Sequence, residues 1–120
     1  MATVKPILRI FDYSKALEFY RTWLGFRIDW EHRPQGSPGY LQVSRDDVVL
    51  HLSEHHGDCS PGARVFIDDF ADLTAFHQHL LAQHYHYNRP SLFSPFYDPT
   101  ALEMTVTDPF GNRLTFVERR

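Results

Sequence analysis

Residues 8–26 read LRIFDYSKALEFYRTWLGF, a short apolar run closed by Asp12 and followed by apolar residues at Leu17, Tyr20 and Leu24. The pattern returns in weaker form over residues 65–81, where a run ends at Asp68 and Leu73, Phe76 and Leu80 follow at the same offsets. Each copy predicts a strand, a capping aspartate and a helix with one apolar stripe. Two copies of one supersecondary unit in 120 residues predict a pseudo-symmetric fold with its ligand between the halves.

Working outward, Ile7 to Phe11 is predicted as a strand, Asp12 as an N-cap, and Tyr13 to Leu24 as a helix that Gly25 ends. From Phe26 the period becomes two: Phe26, Ile28 and Trp30 are expected on one face, Arg27, Asp29 and Glu31 on the other. PQGSPG at residues 34–39 is a loop by composition. Tyr40 to Ser44 and Val48 to Ser53 are predicted strands joined through Arg45-Asp46-Asp47, and residues 54–62 form a polar crossover. The second half repeats the order: Val65 to Ile67 as a strand, Asp68 or Asp69 as the cap, and a helix over about residues 71–83. Two or three strands then fill residues 86–118, the last two, 103–107 and 113–118, joined by a turn at Asp108-Pro109-Phe110-Gly111-Asn112. The expectation is a single α+β domain over residues 1–120, built from two β-α-β-β-β modules (about 5–53 and 63–118). They would form a cupped, mostly antiparallel sheet with the helices outside.

The composition suits one small core, with 42% hydrophobic and 22% charged residues. Aromatic residues reach 15%, more than a small core needs, so some are expected to line a cavity or an interface. A formal net charge of −3 without a Lys/Arg cluster argues against nucleic acid as a partner. Cys59 is the only cysteine, which excludes an intramolecular disulfide and fits a reducing compartment. Neither a signal peptide nor a membrane-spanning run is evident, so a cytoplasmic protein without a membrane partner is expected.

The strand ending in Asp12, the helix ending Phe19-Tyr20-x3-Leu24-Gly25-Phe26, and the terminal DPFGN before an alternating strand (Leu114, Phe116) resemble the vicinal oxygen chelate superfamily. That superfamily includes glyoxalase I, extradiol dioxygenases and the bleomycin-resistance proteins, and the last is the branch this chain most resembles. The resemblance spans nearly the whole chain and implies homodimers whose ligand cavities are shared between modules. It also implies a divalent metal in most of the enzymes, bound at positions that fall here on Lys5, His51, Gly62 or Ala63, and Thr115. Only His51 is a competent ligand, so no metal and no other cofactor is expected.

The residues themselves offer other chemistry. Glu54, His55, His56, Asp58 and Cys59 gather metal-ligand types in the crossover, but a solvated loop is the plainer reading. Cys59 lacks an evident base and shelter for a thiolate nucleophile. His51 with Glu103 would make a general acid–base pair if Glu103 faces inward; otherwise Glu103 is a surface or ion-paired residue. Arg9, whose counterpart in the glyoxalase I pattern meets an anionic substrate group, either meets a ligand carboxylate or pairs with Glu103 or Glu118. Trp30, beside the PQGSPG loop, is the preferred stacking surface, with Tyr40, Phe93, Phe96 and Tyr97 as further candidates. Residues 94–104, with two prolines and weak periodicity, read as a loop, and the resemblance to the bleomycin-resistance branch implies that it borders a binding groove.

The expected ligand-binding set is therefore Arg9, Trp30, Tyr40, His51, Phe93, Phe96, Tyr97 and Glu103, with no catalytic residue. The expected function is capture of a planar or amphipathic, antibiotic-like small molecule in aromatic grooves at a homodimer interface. The alternative is a metal-dependent or acid–base lyase, isomerase or dioxygenase of the glyoxalase type using His51.

Overall fold

Asp12 caps the first helix as its carboxylate predicts: Oδ1 accepts from the Lys15 backbone N–H at 3.0 Å, and the helix starts at the next residue. In the computed structural model, which describes residues 1–119, strand β1 (Ile7–Arg9) leads into α1 (Tyr13–Leu17). The helix then widens into π-helical turns over Glu18–Trp23. These wide turns bury Phe19, Tyr20 and Trp23 together, with ring centroids 4.8 Å apart for Phe19–Tyr20 and 5.4 Å for Phe19–Trp23. Gly25 ends the run at φ +80°, where any side chain would be strained. A Cβ there would also stand 2.7 Å from Arg45 Nη1.

Strands β2 (Arg27–His32), β3 (Tyr40–Arg45) and β4 (Val48–Ser53) complete a sheet ordered β1-β4-β3-β2. The β1/β4 pair is parallel and the others are antiparallel. Leu8, Leu41, Val43, Leu50 and Leu52 occupy its core side and are fully buried. One sequence expectation fails here. Ile28 pairs with Val43, but Trp30 pairs with Gln42, so β2 carries an extra residue at Asp29. This bulge breaks the strict alternation and turns Trp30 away from the side of Ile28, onto the side of Gln42 and His51.

The chain clusters into two compact units: residues 1–63 with 108–112, and the remaining described residues. The second unit contains β5 (Arg64–Ile67), α2 (Leu73–Ala82), β6 (Leu102–Thr107) and β7 (Arg113–Glu118). Its sheet is ordered β5-β7-β6, with β5 parallel to β7 and β6 antiparallel to it. The second strand of the second module shrinks to one bridge between Phe93 and Glu103, because Pro90, Pro95 and Pro99 offer no backbone N–H to a ladder.

The cap of α2 also differs from expectation. Asp68 is engaged by Arg119 at 2.8 Å, and Asp69 adopts φ +56° ahead of the helix. Glu118 caps from the far end of the chain instead, accepting the Asp72 and Leu73 N–H groups at 3.2 Å each. Phe70 and Phe76 pack on Phe116 in this unit's core, with Phe70–Phe116 centroids 5.0 Å apart, and Leu73 and Leu80 are buried with them.

The Asp108–Asn112 turn is more than a hairpin link. Asp108 Oδ2 accepts from the Tyr20 hydroxyl at 2.6 Å and from Asn112 Nδ2 at 2.8 Å, while Oδ1 takes the Phe110 and Asn112 N–H groups. Asn112 Nδ2 also donates to the Arg9 carbonyl at 2.8 Å, and its Oδ1 accepts from Ala63 N at 3.1 Å. Both side chains are buried, and each such bond contributes roughly 1 kcal/mol net. Among the described residues, no helix is long and apolar enough to cross a membrane.

Candidate functional site

The polar side of the first sheet collects the residues with chemistry to offer. Register places Trp30 opposite Gln42, and Gln42 opposite His51, so the three share one face. Tyr40, two residues before Gln42, lies on that face too. The Trp30 and Tyr40 rings are stacked with centroids 5.9 Å apart and planes 8° off parallel. The His51 ring stands edge-on to both, at 5.4 Å from Trp30 and 5.3 Å from Tyr40. Trp30 remains 45% exposed, so its indole is not consumed by these contacts.

Hydrogen bonds join this cluster to its polar neighbours. The Tyr40 hydroxyl lies 2.7 Å from His51 Nδ1, and His51 Nε2 lies 3.0 Å from Gln42 Oε1. Gln42 Nε2 donates to Asp29 Oδ2 at 3.0 Å. Asp29 Oδ1 accepts from Ser44 Oγ and from Arg27 Nε, each at 3.0 Å, and Lys5 Nζ donates to Gln42 Oε1 at 3.3 Å. Hydrogen bonds from Gln42 and then Ser44 hold the Asp29 carboxyl below the usual carboxylate range. Burial, and secondarily the Lys5 charge, lower the His51 pKa, which favours the neutral imidazole. Burial, then the negative charge of Asp58, push the Tyr40 hydroxyl up.

In the second unit, the Tyr97 hydroxyl donates to Glu103 Oε1 at 2.7 Å, which raises the Tyr97 pKa. Phe93 meets Glu103 through the backbone bridge, and Phe96 is fully exposed, edge-on to Tyr97 at 5.7 Å. Phe93, Phe96, Tyr97 and Glu103 thus form one group; Trp30, Tyr40 and His51 form another.

Arg9 belongs to neither group. Its guanidinium lies 4.7 Å above the Phe11 ring, and its buried Nη1 has no hydrogen-bond partner among the described residues. In the second unit, Glu118 caps α2 and Glu103 accepts from Tyr97.

Asp29, Gln42, Ser44 and Lys5 were missed as a network. The signal was present: a hairpin turning at Arg45-Asp46-Asp47 pairs residue 42 with residue 51. Asp29 was hidden by the bulge, which strict alternation does not foresee.

The donor set does not fit the family metal. Lys5 offers an ammonium, both His51 ring nitrogens are engaged, Gly62 and Ala63 have no side-chain donor, and Thr115 Oγ1 is bonded to Thr105 at 2.9 Å. Among the described residues, no group of three His, Cys, Asp or Glu could hold a metal ion. In the crossover, Glu54 accepts from Gly39 N, and Asp58 accepts from Ser53 Oγ. Burial and then Asp58 raise the Cys59 pKa, which keeps the thiol protonated rather than nucleophilic. A shallow recess of about 340 Å³ lies at the hairpin end, lined by Gly25, Arg27, Ser44, Arg45 and Asp46. It has no aromatic wall, so the Trp30 cluster is the better seat for a planar molecule.

Residues 1–120 match a family model described as glyoxalase superfamily protein. No curated protein sequence matches the chain. Among solved structures, similarity extends to the bleomycin-binding protein of bleomycin-producing Streptomyces verticillus complexed with copper(II)-bleomycin. That match has 24% identity and a TM-score of 0.71, covering 100% of this chain and 98% of the other. TnmS3, an antibiotic binding protein from Streptomyces sp. CB03234, is 21% identical with a TM-score of 0.74 over 100% and 98% of the two chains. A glyoxalase family protein from Bacillus anthracis is 18% identical with a TM-score of 0.73 over 100% and 97%. At these identities the likeness establishes the fold.

Proposed function

Because this chain belongs to the glyoxalase superfamily, we propose that it is a metal-free small-molecule-binding protein that holds a planar or amphipathic, antibiotic-like ligand against Trp30 without transforming it. The observation that carries this reading is the half-exposed Trp30 indole, stacked on Tyr40 and braced edge-on by His51. A preset aromatic plane costs little conformational entropy on binding, because its rotamer is already fixed by its neighbours. Two of the structures similar in fold are of proteins that bind bleomycin or an antibiotic, which supports the same class of role.

Catalysis is the weaker reading. A general base needs a free nitrogen aimed at substrate, and both His51 nitrogens already have partners. Arg9 and the Phe93, Phe96, Tyr97 and Glu103 group remain proposed ligand contacts. We also propose a homodimer, because Phe96 (100% exposed) and Phe66 (55%) leave apolar surface that a second copy would cover. The free Cys59 thiol suits the cytoplasm proposed for it.

The test is a screen of planar antibiotics by tryptophan fluorescence, with a parallel assay for turnover of hemithioacetals and catechols. Saturable quenching that disappears in Trp30→Phe, with every ligand recovered unchanged, supports binding. Turnover that collapses in His51→Ala would overturn it.

A further inference from the structure

The hydrogen-bond chain on the first sheet has a direction, fixed by the chemistry of its ends. The Asp29 carboxylate can only accept, and it receives Gln42 Nε2, Ser44 Oγ and Arg27 Nε. The Gln42 amide must therefore turn Oε1 toward His51, where Lys5 Nζ also donates to it. A carbonyl oxygen cannot donate, so His51 Nε2 carries a hydrogen, and in the neutral ring Nδ1 then holds the lone pair. The Tyr40 hydroxyl then donates into Nδ1 at 2.7 Å. Its only hydrogen is used, while the lone pairs of Tyr40 Oη receive no donor among the described residues. Tyr40 is half-buried and its ring is stacked beside the exposed Trp30 indole, so its side chain borders the proposed ligand seat.

Resting on the binding reading above, we infer that the site selects planar ligands presenting an N–H donor to Tyr40 Oη while stacking on Trp30, and discriminates against ligands whose matching edge only accepts. A carbonyl, ether or carboxylate placed there would face lone pairs and find no hydrogen. The negative charge of Asp58, felt at the Tyr40 hydroxyl, works in the same sense. This selectivity belongs to the chain of side chains rather than to the fold, because it requires Asp29 at one end and Tyr40 at the other.

The probes are norharmane, a planar tricycle with a pyrrole-type N–H, and its N9-methyl derivative, at a mildly alkaline pH that keeps both neutral. Binding is read from the Trp30 indole N–H signal in NMR. Norharmane is expected to bind about tenfold more tightly than the methylated probe, as one net hydrogen bond allows. In Tyr40→Phe, which keeps the ring, the ratio should fall to about one. The His51 ring nitrogens should report the Nε2–H tautomer in the free protein. Equal affinities in the wild type overturn this inference and leave the binding reading standing. An Nδ1–H tautomer of His51 overturns the direction of the chain. A Trp30 signal that neither probe moves overturns the binding reading, and this inference with it.

Discussion

The two halves of the chain share a strand–helix signature but expose different chemistry on their sheets. In the first, Lys5, Asp29, Gln42, Ser44, Tyr40 and His51 form one connected hydrogen-bond chain beside an exposed tryptophan. In the second, Thr105 and Thr115 bond to each other at 2.9 Å, and Glu103 is taken by Tyr97. The repeat therefore specifies scaffold. Function is written in the positions the repeat leaves free, and here the directional network lies in the first half.

The largest test of that contrast is structural. The first unit is pinned by buried Asp108, whose carboxylate satisfies Tyr20, Phe110 and Asn112. Asp108→Ala strands these donors and should cost roughly 3 kcal/mol or more by chemical denaturation. Thr105→Val, which breaks the Thr pair of the second unit, should cost only about 1 kcal/mol. Equal losses would mean that the halves are equally pinned.

Next in size is Gly25→Ala, where φ +80° and the close Arg45 side chain should together cost about 2 kcal/mol in thermal melts. The caps then compare two solutions to one problem. Asp12→Ala and Glu118→Ala should each cost about 1 kcal/mol, although Asp12 is local and Glu118 comes from the far end of the chain.

The smallest effect is pH-dependent and confined to the first half. Burial and Lys5 hold His51 below the ordinary imidazole value of about 6.5. A base lowered in the folded state adds stability above the unfolded value and loses it as pH falls through the folded one. The denaturation midpoint of the wild type should decline on mild acidification slightly more than that of His51→Gln. Identical profiles would remove His51 from the account.

Much of the scaffold was legible because it depends on local rules. Asp12 caps its own helix, and Gly25 supplies a positive φ that few residues tolerate. What failed depended on distant or exceptional geometry. Glu118 caps a helix that begins 45 residues earlier, and no local pattern around Leu73 announces it. The bulge at Asp29 reversed the face of Trp30, placing the favoured stacking residue beside His51 for a reason that alternation alone would have denied. Phe93, Phe96, Tyr97 and Glu103 were recognisable as an aromatic loop, yet their grouping depends on a single backbone bridge.

The central claim is that a planar ligand stacks on the Trp30 face of the first sheet. The chain has two tryptophans, so one NMR spectrum contains two indole N–H signals: exposed Trp30 and buried Trp23. Titration with a planar ligand found by the screen should move the Trp30 signal in a saturable way. Trp23 and the methyl signals of Thr105 and Thr115 should stay in place. Saturable shifts at the threonine pair with a stationary Trp30 signal would contradict the account.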